Sequence, residues 1–302
     1  MNSKFNINYK LVIEDLYGNE VIITSYDMLT FKDKLNSLYI QCSITRQIAE
    51  MNQRLNLRIY NLQEETRLKI KKSRTNTNIY RKIEVYAGYG SYVSLIFKGC
   101  IMTALSCKEN TDIITEITAL SGGYQSVNGD TNISFTAGYE NKNIVNNLVK
   151  SIPQLEIGYI NQDIVFFPKN DRGYTIDGNI LNELREKAKK IGAIVFIDNE
   201  RIYIMAEKEV RTSSILKIED STGLMSVKEY DIYLEINTLF EPLANLNNKI
   251  IINSNIFKQY NGDWQLFGIQ HNLSIAKIGA NSNATTTLKV IAIDGKPLEI
   301  KK

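Results

Sequence analysis

The chain is short of nearly everything by which an enzyme or a membrane protein announces itself. It has one histidine, His271, and three cysteines, Cys42, Cys100 and Cys107, with no C-x-x-C spacing. A Ser-His-Asp or Cys-His arrangement would have to be built around His271, yet no G-x-S-x-G elbow or active-site cysteine signature accompanies it. A single histidine also excludes a histidine-rich zinc site. There is no G-x-x-x-x-G-K-S/T phosphate loop, and "AGYGSY" and "SGGYQSVNG" read as turns rather than phosphate cradles. No apolar run approaches the roughly 20 residues of a membrane helix. The start, "MNSKFNINYK", lacks the apolar stretch of a secretory signal, so a soluble intracellular product is expected. Four prolines and seventeen glycines in 302 residues argue against low-complexity linkers. Charge of one sign is missing too. The 36 basic and 33 acidic residues leave a net +3, which gives no global pull toward nucleic acid or an anionic membrane.

What remains is an ordinary globular composition, 43% apolar and 23% charged, rich in tyrosine (17 residues). Many Ile, Thr and Asn residues favour strands and turns. The cysteines read as small apolar core residues in a reducing compartment.

The first third carries short strand signals about every ten residues. Two runs flank "YGNE", and "LNSLYIQCSIT", "RKIEVYAGYG", "SLIFKGCIMTALSC" and "DIITEITALSGG" follow, each closed by turn residues. The middle third changes period. "NKNIVNNLVKSI" sets Ile144, Leu148 and Ile152 on one helical face, ended by Pro153. "DGNILNELREKAKKIGA" aligns Ile180, Leu184, Ala188 and Ile191, with Lys187, Lys189 and Lys190 at the C-terminal end and Gly192 as the stop. "AIVFIDNERIYIMAE" then predicts a hairpin over Asp198-Asn199-Glu200. The last third returns to strands. The expected fold is a β-rich α+β protein: a first small antiparallel (tudor-like) β-barrel with a short helix over 1–124, an α+β module over 125–208, and a second such barrel over 209–302.

Four groups of residues could carry a site. His271 lies in an alternating strand with Leu266, Ile269, Leu273 and Ile275 and reads as structural or interfacial. Glu116, which a paired-carboxylate hydrolase could use, lies in an alternating strand and reads as solvent-facing. The stretch "RLKIKKSRTNTNIYRK" holds Arg67, Lys69, Lys71, Lys72, Arg74, Arg81 and Lys82 with no acid between them. Beside Tyr80, Tyr86, Tyr89 and Tyr92 it could form a basic patch or interface, or else a solvated loop. Finally, in "LNLRIYNLQEETRLKI" a two-residue period gives way to a helical one. Asn61 is placed as the helix N-cap and Glu64 as its capping-box partner.

The order of these segments resembles that of baseplate hub proteins from contractile-tailed phages. The matching elements are Ile59 to Leu62, Glu65 to Arg67, Ala87 to Tyr89 and Ile96 to Gly99. Further along come the Leu239, Phe240 and Pro242 step, the strand from Ile250 to Ser254, and the closing strand with Gly268 and His271. The middle module matches less, and the basic loop 71–80 has no counterpart. The resemblance implies a structural, non-enzymatic hub without cofactor or metal. Three copies would form a ring that joins the tail tube protein to the central spike protein and touches other baseplate proteins. That ring would sit in the virion tail baseplate, assembled in the host cytoplasm, with no membrane or nucleic acid as partner. Two rival readings are a tail-associated peptidoglycan hydrolase and a nucleic-acid-binding β-barrel.

Overall fold

The computed structural model describes residues 6–26, 32, 37–50, 52–73, 79–168, 173–276 and 282–293. The first third folds into β1 (Ile7–Glu14), β2 (Glu20–Thr24), β3 (Ile40–Gln47), β4 (Gln53–Tyr60), α1 (Glu64–Ile70), β5 (Lys82–Tyr89), β6 (Tyr92–Glu109) and β7 (Asp112–Ser121). The middle holds α2 (Gly123–Asn128), β8 (Asp130–Phe135), α3 (Asn141–Ser151), β9 (Glu156–Ile160), β10 (Tyr174–Asn179), α4 (Ile180–Lys190), β11 (Ala193–Asp198) and β12 (Arg201–Ala206). The last third adds β13 (Arg211–Glu219), β14 (Leu224–Glu229), β15 (Leu234–Leu239), β16 (Asn248–Asn253), β17 (Gly262–Ile275) and β18 (Asn283–Ala292). Among the described residues no helix is long and apolar enough to cross a membrane.

The β-rich character is as the sequence indicates, but the strands do not close into two separate barrels. Strand β3 pairs antiparallel with β17, from Ile40↔Ile275 to Gln47↔Gly268. This seam fuses both β-rich segments into one 13-stranded sheet in the order β14-β15-β18-β17-β3-β4-β7-β6-β5-β1-β2, with β16 on β17 and β13 on β16. Its path has two ends and no closing pair among the described strands. The middle segment contributes two small sheets, β10-β8 and β11-β12-β9.

Two glycines of the recurring motifs have steric reasons. A Cβ on Gly88 would lie 1.8 Å from the Tyr92 carbonyl oxygen, and one on Gly99 would lie 2.7 Å from that of Leu120. Both lie in strands whose neighbours approach too closely for a side chain. Asn61, in contrast, is not a helix cap. It adopts a left-handed conformation (φ 55°), and α1 begins after Gln63 with no side-chain cap. Its amide instead donates to Asp112 Oδ1 (2.8 Å) and accepts from Ile113 N–H (3.0 Å), pinning the end of β4 to the start of β7. A short side chain that tolerates positive φ suits that corner better than a cap.

The helical readings hold with one change. In α3, Ile144, Val145, Leu148 and Val149 are buried; in α4, Ile180, Leu181, Leu184 and Ala188 are. Ile191 falls at the C-cap of α4 and is 47% exposed, because Gly192 (φ 64°) turns the chain away there. The β11–β12 turn is formed by Asn199 (φ 52°) and Glu200 (φ 60°), both left-handed as a type I′ hairpin requires.

Three apolar cores result. The first fills the N-terminal sheet but also takes Phe240, Leu273, Ile275 and Ala284 from the last third. The second lies within the α+β segment. The third lies between the last strands and one face of the β11–β12 hairpin, through Phe196, Tyr203 and Met205. The opposite face of that hairpin, Val195, Ile197, Ile202 and Ile204, belongs to the second core. A hairpin apolar on both faces is therefore the wall shared by two cores.

Candidate functional site

The β11–β12 hairpin ends in a tip that plugs into the first β-rich segment, and every residue of the tip is held. Gln53, on β4, donates from Nε2 to the Ile197 carbonyl (3.1 Å). Arg46, on β3, forks onto Asp198, with Nε at 2.9 Å from Oδ1 and Nη2 on Oδ2. Asn199 Oδ1 accepts from the Lys98 N–H of β6 (2.9 Å), and the Glu200 N–H donates to Ser121 Oγ of β7 (2.9 Å). Gln125, on α2, donates from Nε2 to both Glu200 Oε2 and the Gln154 carbonyl. Arg46 also reaches the Ala244 carbonyl (3.2 Å) with Nη1, so one guanidinium ties all three segments together. The Arg46 and Asp198 side chains are 1% and 5% exposed, and such buried bidentate pairs hold geometry more than they add stability.

The sequence signal for this joint is a polar residue at an inward position. In β3, Ile40, Cys42 and Ile44 point inward, and Arg46 continues their period. In β4, Gln53 heads the series Leu55, Leu57 and Ile59. Arg46, Gln53, Gln125, Asp198 and Glu200 all escape motif reading, because each takes its meaning from a partner distant in sequence.

His271 lies in the joined core, fully buried, with its ring edge-on to Phe240 at 5.3 Å. Thr286 Oγ1 accepts from the Glu241 N–H (2.9 Å) and is hydrogen-bonded to His271 Nδ1 (2.9 Å), whereas Nε2 has no partner. Burial, with the Arg46 charge adding to it, pushes the imidazole down to about 3, so it is neutral at physiological pH.

Two of the described cations of the basic stretch are buried. Lys72 is buried, its Nζ donating to the Ile79 carbonyl (2.7 Å) and to the Ile101 carbonyl. Arg81 is buried as well, and Nη2 donates to the Lys71 carbonyl (2.9 Å). Lys69 pairs with Glu65 (2.6 Å) and Lys82 with Glu20 (3.0 Å). Arg67 is half-buried, Lys71 is exposed, and Arg74 lies outside the described residues. Glu116 faces solvent as expected, in an ion pair with Arg58 (2.8 Å). Of the cysteines, Cys42 and Cys100 are buried, whereas Cys107 is exposed near the tip of the β6–β7 hairpin. Cys107, Glu109 and Glu116 bring a thiol and two carboxylates within 4.8 Å of one another, but Arg58 is bonded to both carboxylates.

Across the seam the outward face of the sheet is polar in continuous rows. Thr118, Asn56, Ser43, Asn272 and Thr285 lie directly opposite one another on β7, β4, β3, β17 and β18. The next row reads Glu116, Arg58, Gln41, Ser274 and Asn283. Ser43 donates to Asn272 across the seam (3.0 Å), and a shallow groove of about 370 Å³ runs over both rows. Hydroxyl and amide ladders of this kind stabilise cross-strand pairing without creating an adhesive apolar surface.

This architecture defines a class. The tail protein from Neisseria meningitidis MC58 superposes with a TM-score of 0.62 at 9% identity, over 95% of this chain and 97% of that one. The 43 kDa tail protein of prophage MuSo2 from Shewanella oneidensis gives 0.60 at 9% identity, over 95% and 98%. A type VI secretion system component of E. coli, described as similar to the T4 tail proteins gp27 and gp5, gives 0.56 at 8% identity, over 84% and 73%. The fold is thus that of phage-tail proteins. No curated protein matches the chain in sequence. The family model of baseplate hub gp41, however, matches residues 20–277, and the chain belongs to that family. It is a structural component of a phage tail baseplate.

Proposed function

We propose that the protein is the hub of a contractile-tail baseplate, with three copies forming a ring that joins the tail tube protein to the central spike protein and contacts other baseplate proteins. The observation that carries this reading is the seam. One sheet runs through both β-rich segments, leaves edges unpaired among the described strands at β2, β14 and, on the β16 branch, β13, and bears unbroken polar rows on one face. Exposed strand edges invite pairing with another chain, and a closed ring of copies would cover such edges. The polar rows then face the channel, where an unadhesive, nearly neutral lining suits passage of material.

In this reading residues 1–124 and 209–302 act as the two halves of one fused β-sheet, with 125–208 as an accessory α+β module. Of the basic stretch, the exposed Lys71, with the ion-paired Lys69 and Lys82 beside it, offers a contact for a neighbouring component. The role is mechanical rather than enzymatic. Native mass spectrometry of the purified protein, with imaging of purified particles, tests it. A three-fold ring with an open channel is expected; a monomer at all concentrations together with absence from particles overturns it.

A further inference from the structure

Glu200 is a buried acid in an odd place, the left-handed second residue of a two-residue hairpin turn, and only 1% exposed. Its carboxyl Oε2 takes the Gln125 amide, whereas Glu200 Oε1 and Gln125 Oε1 are both buried acceptors with no donor. The carboxylate is served by the Gln125 amide and the Gly122 N–H alone, which leaves one of its oxygens and the Gln125 oxygen as buried acceptors without donors. A proton on Glu200 turns one of these acceptors into a donor and removes a buried charge.

The surroundings do not supply a counter-charge. Lys98 on β6 and Arg201 on β12 are the near cations, and both are bound to Glu156 of β9, at 3.2 and 3.0 Å. The other groups facing Glu200 are Tyr80 ahead of β5, Cys100 on β6, Gln125 on α2 and the Gly122 amide. Two residues away, Asp198 is fully engaged by Arg46.

We infer that the β11–β12 tip is a proton-operated latch: a protonated Glu200 holds the hairpin tip in the slot formed by β6, β7 and α2, and loss of that proton loosens the hold. Burial pushing the Glu200 carboxyl up to about 8 from 4.5 supports this geometry. The sign follows from linkage. A raised folded-state value means that the closed latch binds the proton more tightly than the open one. Opening is then rarest in mild acid, grows about tenfold per pH unit as pH rises from 4.5, and levels off near 8.

Two measurements on the full chain decide it. The first is carbon-detected NMR titration of glutamate carboxyls, with a Glu200 midpoint expected near 8. The second is amide hydrogen exchange in β11, β12 and α2, corrected for the intrinsic rate. Protection there should fall roughly tenfold per unit between pH 5.5 and 7.5 in the wild type and stay flat in Glu200→Gln. A Glu200 midpoint near the ordinary ~4.3, an equal slope in the variant, or loss of protection everywhere at once overturns the latch. Should Glu200→Gln not fold, the wild-type titration and exchange still separate a working latch from none.

Discussion

Arg46 and Asp198 show how a single pair can decide the relation between segments far apart in sequence. Because both side chains are almost fully buried, deleting one leaves the other as an uncompensated charge in an apolar setting. Asp198→Ala should cost about 3–5 kcal/mol in denaturant unfolding, and the double change Arg46→Met with Asp198→Leu should cost clearly less. The neutral, buried His271 acts on the same joint through pH. Its folded-state value of about 3 lies below the unfolded 6.5, so its contribution to stability is complete above 6.5 and is lost as pH falls toward 3. The loss should reach about 2 kcal/mol by pH 5, read as the difference in the pH dependence of the denaturation midpoint between the wild type and His271→Asn, in which the Glu200 contribution cancels. This slope is opposite to that of Glu200, so the two offset each other between about pH 4.5 and 6.5, and stability falls below that window through His271 and above it through Glu200.

Elements are where the sequence was most legible, and where it failed for physical reasons. Helix α4 with its Gly192 stop and the turn at Asn199-Glu200 follow from local period and turn chemistry alone. Gly88 and Gly99 are visible as glycines, but the close carbonyls that demand them belong to Tyr92 and Leu120 on partner strands. Gly99→Val should therefore cost roughly 1–3 kcal/mol through overpacking at the β6–β7 pair, measured by thermal or denaturant unfolding. Asn61 misled because a short amide side chain serves a cap and a left-handed corner equally well; only its bonds to Asp112 and Ile113 separate them. Arg46 and Gln53 stood in plain view at inward positions, without any local hint of Asp198 or Ile197.

At the scale of the molecule, the illegible feature was the seam. An antiparallel pairing of residues 40–47 with 268–275 has no local signature, so the two β-rich segments read as separate barrels. The open edges that the fused sheet leaves give the proposed ring its most direct test. Ile22, 45% exposed on edge strand β2, can be changed to lysine, a residue that blunts strand edges. Ile22→Lys should leave the unfolding midpoint nearly unchanged while abolishing the three-fold species in native mass spectrometry. The seam also sets a timetable for synthesis. As the chain leaves the ribosome, β3 waits with one bare edge, and its core lacks Phe240, Leu273, Ile275 and Ala284, until most of the polypeptide has emerged. The β3 edge and its core are therefore among the last parts to be completed, exposed until β17 arrives to cover them.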